Sequence, residues 1–104
     1  MAQFDVYLNP NTDTRDAIPF LLDVQTDLLD MLATRVVVPL VAMEEMGLVA
    51  RHLNPQFKIK GVAVVMSTAE LAGIPSRLLG DKIISLKNKR DEIIAALDLL
   101  FTGI

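Results

Sequence analysis

His52 is the side chain in this sequence best suited to acid–base or metal chemistry, because it is the only histidine and the chain has no cysteine. A zinc site usually needs several histidine or cysteine ligands, so carboxylates alone would have to complete one around His52. None of the serines lies in a G-x-S-x-G turn, and His52 is the only imidazole that could activate one. Phosphate-binding glycine motifs are also absent. We therefore predict a surface or half-buried ring for His52, and a protein that is not an enzyme and carries no metal or cofactor.

Three aspartates in one short segment, Asp23, Asp27 and Asp30, are the second candidate for metal or acid–base chemistry. On a strand, Asp23 and Asp27 would share a face and Asp30 would not. Their spacing also differs from the D-x-D-x-D-G pattern of a calcium-binding loop. The sequence therefore predicts turn and surface carboxylates that follow a strand.

The charge balance bears on which partners the chain can bind. Ten basic and thirteen acidic side chains give a formal net charge of -3, whereas contacts with nucleic-acid phosphates need a concentrated positive field. The one basic cluster, Lys87, Lys89 and Arg90, is followed at once by Asp91 and Glu92. We predict that the chain does not bind DNA or RNA by itself.

Length and composition describe one globular unit. The 104 residues, of which 52% are hydrophobic, suit a single domain over residues 1–104 with a modest core that oligomerisation would enlarge. The first residues lack the basic and apolar regions of a secretory signal. The longest apolar run, residues 36–43, is too short to cross a bilayer. We expect a cytoplasmic protein with no membrane contact.

Alternating or β-branched runs predict several short strands before the last segment of the chain. Alternation is typical of half-buried strands, and a β-branched run is typical of a buried one. The predicted strands cover residues 3–8, 20–25, 34–41, 57–60 and 62–66, and the last two form a hairpin that turns at Gly61. The turn signals Gly73-Ile74-Pro75 and Leu79-Gly80-Asp81 mark a further short strand.

Pro39 and residues 43–53 do not fit this pattern of strands. Pro39 cannot donate a ladder hydrogen bond, so we expect it at a sheet edge or a bulge. Residues 43–53 carry apolar side chains at helical spacing, but Gly47 interrupts them, and a helix and a loop both stay open there.

The last segment has the periodicity of a helix. Asp91 and Glu92 would lie in its first turn, where the helix dipole favours acids. Its apolar side chains form one stripe, which consists of Ile93, Ile94, Leu97, Leu100, Phe101 and Ile104. We expect Ile93, Ile94 and Leu97 to pack on the chain's own strands. For Phe101 and Ile104, packing in the chain's own core and contact with a partner are equally open.

Several segments, in order along the chain, resemble the CcdB toxins of bacterial toxin–antitoxin modules. The resemblance runs nearly end to end, and its motifs are specific through their combination and order. They are Gln3-Phe4-x-Val6-Tyr7, Phe20-x-x-Asp23-Val24-Gln25-Thr26-Asp27, Arg35-x-Val37-x-Pro39-Leu40, Met66-x-Thr68, Ile74-Pro75, Gly80 and the ending Phe101-Thr102-Gly103-Ile104.

The resemblance implies a mainly β fold, an SH3-like β-barrel with an inserted small sheet and a C-terminal α-helix. It also implies a homodimer that binds the dimerisation domain of DNA gyrase A and traps gyrase on cleaved DNA, without catalysis by the toxin. A CcdA-like antitoxin would neutralise the dimer. The toxin–antitoxin complex would repress its own operon, so that contact with DNA is only indirect.

Transferred position by position, the resemblance implies two groups of gyrase-binding residues. One is Leu28 and Leu29, after the second strand. The second group is Asp98, Phe101, Thr102, Gly103 and Ile104. Two of these positions depart from the family's best-known pattern, which has Trp in place of Thr102 and Asn in place of Asp98. Because Trp covers more partner surface than Thr and Asp98 adds a charge near the contact, we expect weaker gyrase binding than that pattern would give.

Three other interpretations stay open at this stage. A CcdB-like protein that has lost toxicity could persist as an antitoxin-binding or regulatory partner, and Thr102 is the feature that favours it. A related barrel of the ribonuclease toxin type would need a base and cations around the phosphate, with His52 as the only imidazole. An unrelated small β-domain that only dimerises would not explain the order of the motifs.

Overall fold

A computed structural model describes residues 1–103 as seven strands followed by one helix. Short 3-10 turns lie in several of the connections. The strands are β1 (Asp5–Leu8), β2 (Phe20–Asp23), β3 (Thr34–Ala42), β4 (Gln56–Ile59), β5 (Val62–Met66), β6 (Ala72–Pro75) and β7 (Lys82–Ser85), and the helix is α1 (Arg90–Thr102).

The seven strands form one antiparallel sheet. Its main order is β4-β5-β3-β2-β1-β7, and β6 pairs with the remaining part of β3. The sheet curls into a half-barrel, with α1 as the C-terminal helix. The predicted mainly β, CcdB-like fold with a C-terminal helix is confirmed, and all seven strands are hydrogen-bonded into one sheet.

The core lies on one face of the curled sheet. Alternate residues of β1, β2 and β3 point to this face, as the period of two in a strand requires. The helix packs there through Ile93 and Ala96, both fully buried. The other buried members are Phe4, Val6, Phe20, Leu22, Val38, Leu40, Phe57, Ile59, Val64, Met66 and Leu86.

The first strand differs from the sequence prediction in two ways. It begins at Asp5, because Phe4 has a left-handed backbone with φ of 71° while its ring is buried in the core. A bulky residue in this region is strained. Asp5 and Tyr7 are also buried, so the strand is covered on both faces and is not half-buried as its alternation predicted.

The hairpin predicted around Gly61 is confirmed. Ile59 pairs with Val62 across a two-residue turn, in which Lys60 and Gly61 both have positive φ, at 51° and 83°. Two positive φ angles define the type I′ turn, whose twist matches that of antiparallel strands.

Pro39 lies on a central strand, and the prediction of an edge or bulge is wrong. On one side it pairs with Leu21 of β2. On the other side, the first residue of β6 pairs with Val37 and the last residue of β5 pairs with Leu40. Pro39 therefore occupies the break between two partner strands, where no ladder donor is needed.

Residues 43–53 contain no α-helix. A 3-10 turn covers Met43–Glu45, and Gly47 follows in irregular chain. Asn54 closes this connection by donating to the Met66 carbonyl and accepting from the Ala50 amide. Within residues 1–103, no helix is both long enough and apolar enough to span a membrane.

Gly80 allows the chain before β7 to pass close to the end of β1. A Cβ atom added at Gly80 would overlap the backbone carbonyl of Leu8. We predict that Gly80→Ala lowers the free energy of unfolding by about 1–3 kcal/mol, as overpacking typically does. Gly47→Ala is the matched control, because its added Cβ meets nothing within 4 Å. Urea denaturation measures both, and equal stability of the two variants would contradict the prediction.

Candidate protein-binding surfaces

The connection between β2 and β3 exposes a cluster of large apolar side chains, here called the loop patch. It contains the two predicted residues Leu28 and Leu29, which are 82% and 44% exposed. Met31 and Leu32, which the sequence analysis did not single out, are 73% and 46% exposed. Exposed apolar side chains in one short loop are typical of a protein-binding surface.

The backbone of the loop patch is held by local hydrogen bonds. Thr26 caps the 3-10 turn Asp27–Leu29 by accepting from the Leu28 amide at 3.3 Å. The Leu32 amide donates to the Leu29 carbonyl at 3.1 Å. These bonds satisfy polar backbone groups within the loop, while its apolar side chains remain exposed.

The end of α1 forms a second exposed surface, here called the helix-end patch, with Asp98, Phe101, Thr102 and Gly103. Phe101 is 68% exposed and the other three are also exposed. The Thr102 hydroxyl donates to the Asp98 carbonyl at 2.7 Å. The sequence left open whether Phe101 packs in the chain's own core or contacts a partner. In the structure of this chain, the ring of Phe101 is not part of the core.

Gly103 ends the helix as well as contributing to the patch. It has a left-handed backbone with φ of 75°, and its amide donates to the Leu99 carbonyl at 3.1 Å. Glycine adopts this conformation without strain, which makes it the common residue after a helix end. Ile104, the last predicted contact residue, lies outside the described residues.

Both patches combine apolar side chains with negative charge. Asp27 and Asp30 flank Leu28 and Leu29, and Asp98 lies in the last turn of α1, which has no basic residue. The helix dipole is negative at this end. The patches lie on separate elements of the fold.

A buried ion pair lies beneath the start of the loop patch. Arg35 of β3 donates from Nε and Nη2 to Asp23 Oδ2 at 2.8 and 2.7 Å, and both side chains are almost fully buried. Burial raises the pKa of the Asp23 carboxyl, while bonds from Arg35 and the Gln25 amide act to lower it. The prediction that Asp23 is a surface carboxylate is wrong, whereas Asp27 and Asp30 are exposed as predicted.

Tyr7 and Asp5 extend this polar cluster along β1. Asp5 accepts from the Tyr7 hydroxyl at 3.4 Å and lies 3.3 Å from the Lys82 ammonium. Burial, together with the negative charges of Asp5 and Asp23, raises the pKa of Tyr7 from 10.0 to about 12. These groups penalise the tyrosinate and favour the neutral phenol.

We predict that the only tyrosine of the chain titrates near pH 12 in the folded protein. Because the folded pKa is raised, the stabilisation by neutral Tyr7 is fully present below about pH 10 and is lost as the pH rises towards 12. Tyrosinate absorbance measures the midpoint, and circular dichroism verifies that the sheet is intact. A midpoint near 10 in the folded state would contradict the prediction.

His52 lies in a groove of about 810 Å³ between the connection before β4 and the first turns of α1. The ring is exposed, as predicted. Arg51 lines the groove with His52, but so do Asp91 and Glu92. Two carboxylates repel phosphates, so the groove does not favour the ribonuclease interpretation. Within residues 1–103, no three His, Cys, Asp or Glu side chains are arranged to hold a metal.

The fold and its two exposed patches define a small β-domain that presents apolar surface at a loop and at a helix end. A family model described as CcdB protein matches residues 3–103. The chain belongs to the CcdB family. Membership of this family indicates the toxin of a toxin–antitoxin system.

Proposed function

We propose that this protein binds the dimerisation domain of DNA gyrase A and traps gyrase on cleaved DNA. The observation that carries the proposal is the exposure of Leu28 and Phe101, at 82% and 68%, at two positions where the family resemblance implies gyrase contacts. Large apolar side chains at such exposure gain most when a partner covers them.

The proposal includes a homodimer in the cytoplasm, where each patch is presented twice. A two-fold axis repeats any surface of one protomer, so a symmetric partner such as the gyrase A dimer could be engaged at both copies. A CcdA-like antitoxin would cover the dimer, and their complex would regulate the operon. The toxin itself would contact no DNA, in keeping with its net charge of -3.

A second candidate function is a non-toxic homologue that retains antitoxin binding. Thr102 favours it, because its hydroxyl is bonded to the Asp98 carbonyl and its side chain offers little area to a partner. Expression in a gyrase-dependent cell without antitoxin separates the two candidates. Arrested growth supports the toxin, and unimpaired growth supports the homologue.

The direct test of binding is a calorimetric titration with the isolated dimerisation domain of gyrase A. We expect saturable binding that weakens when Leu28 is replaced by aspartate. Leu48→Asp is the matched control, because Leu48 is 94% exposed on a different connection. Absence of binding by the wild-type protein would overturn the proposed function.

A further inference from the structure

Gln25 is a buried polar residue whose side chain bridges the two sides of the β2–β3 connection. Only 7% of it is exposed. Its Nε2 donates to the Leu29 carbonyl at 3.0 Å, and its Oε1 accepts from the Val36 amide at 3.1 Å. One side chain therefore ties the loop patch to strand β3.

The backbone of Gln25 is itself fixed by the buried ion pair. Its amide donates to Asp23 Oδ1 at 3.0 Å, and its carbonyl lies 3.5 Å from Arg35 Nη2. The bonds run from Arg35 through Asp23 and Gln25 to Leu29. The conformation of the exposed loop is thus linked to rigid strands through buried side chains.

We propose that Gln25 is a positioning residue that holds the loop patch in the conformation that its protein partner binds. The inference rests on the proposed function. When a free loop has several conformations, its apparent affinity for a partner is reduced in proportion to the fraction of time that it spends in the binding-competent one. Side chains that satisfy the loop backbone raise this fraction before the partner arrives.

Two near-isosteric variants separate positioning from contact. Gln25→Met removes both side-chain bonds, and Gln25→Glu retains the acceptor for Val36 but replaces the donor to Leu29 with a carboxylate oxygen. We expect each to lower the affinity for the gyrase A dimerisation domain about tenfold. Gln56→Met, at an exposed position of β4, is the control and should bind like the wild type.

Amide hydrogen exchange supplies the readout that a purely structural role would not produce. The amides of Leu28, Leu29 and Leu32 should exchange faster in the Gln25 variants. The amides of β2 and β3 should keep wild-type protection, except that of Val36, which loses its acceptor in Gln25→Met. Thr26→Ala removes only the exposed cap of the same loop. It should fold normally, with faster exchange at Leu28 and an affinity loss of about threefold.

The outcomes distinguish this inference from the proposed function. Failure of the wild-type protein to bind overturns the proposed function and the positioning role with it. Wild-type binding with wild-type affinity in the folded Gln25 and Thr26 variants overturns only the positioning role. Equal exchange rates in the loop would overturn it too, whatever the affinities.

Discussion

Arg35→Met is expected to lower the free energy of unfolding by about 3–5 kcal/mol, because it leaves the Asp23 carboxylate buried without its cation. Asp23 is fully buried, and Arg35 is 1% exposed. A carboxylate taken out of water without a partner is among the costliest defects in a protein interior. Chemical denaturation at a fixed protein concentration measures the change.

Two further variants determine whether this loss comes from the uncompensated charge. The double variant Arg35→Met with Asp23→Leu should recover much of the stability, because it removes the carboxylate that Arg35→Met alone leaves without its cation. Lys58→Met is the control, because Lys58 is exposed on β4 and charged groups on the surface contribute about 1 kcal/mol or less. A loss below about 1 kcal/mol for Arg35→Met would contradict the account.

Phe101→Ala is expected to weaken binding to the gyrase A dimerisation domain by about 2 kcal/mol, or roughly thirtyfold. The ring is 68% exposed in the free chain, so its loss should affect the stability of the fold much less than it affects binding. Aromatic residues at the centre of an interface commonly dominate its energy. Titration calorimetry and denaturation of the same preparation compare the two effects.

Leu48→Ala provides the matched comparison for this truncation. Leu48 is the more exposed of the two, at 94%, but lies outside both patches. It should bind the gyrase fragment like the wild type. Equal affinity of the Phe101 and Leu48 variants would remove the helix-end patch from the proposed interface.

The regular elements of the fold could be predicted because their signals are local. Period-two alternation predicted β2 and the β4–β5 hairpin, and the stripe that begins at Ile93 predicted α1. The left-handed backbone of Phe4 could not be predicted, since nothing in the adjacent sequence requires it. The place of Pro39 depends on which strands flank β3, which is set by tertiary pairing.

The candidate site could be predicted only in part. The resemblance supplied Leu28, Leu29 and the residues at the end of α1, and the described ones are exposed on the molecule. Met31 and Leu32 were missed, because apolar residues in a turn follow no periodic pattern. The link from Arg35 through Asp23 to Gln25 was missed as well, since it depends on the register between β2 and β3.

The most direct test of the central claim incubates the purified protein with gyrase, ATP and supercoiled plasmid, followed by detergent and protease. Linear DNA that appears only with active gyrase is the predicted result, and it would show that Thr102 suffices for trapping. Phe101→Ala should yield less linear product at the same concentration, and Leu48→Ala should match the wild type. Absence of linear DNA with the wild-type protein would contradict the proposed gyrase poisoning.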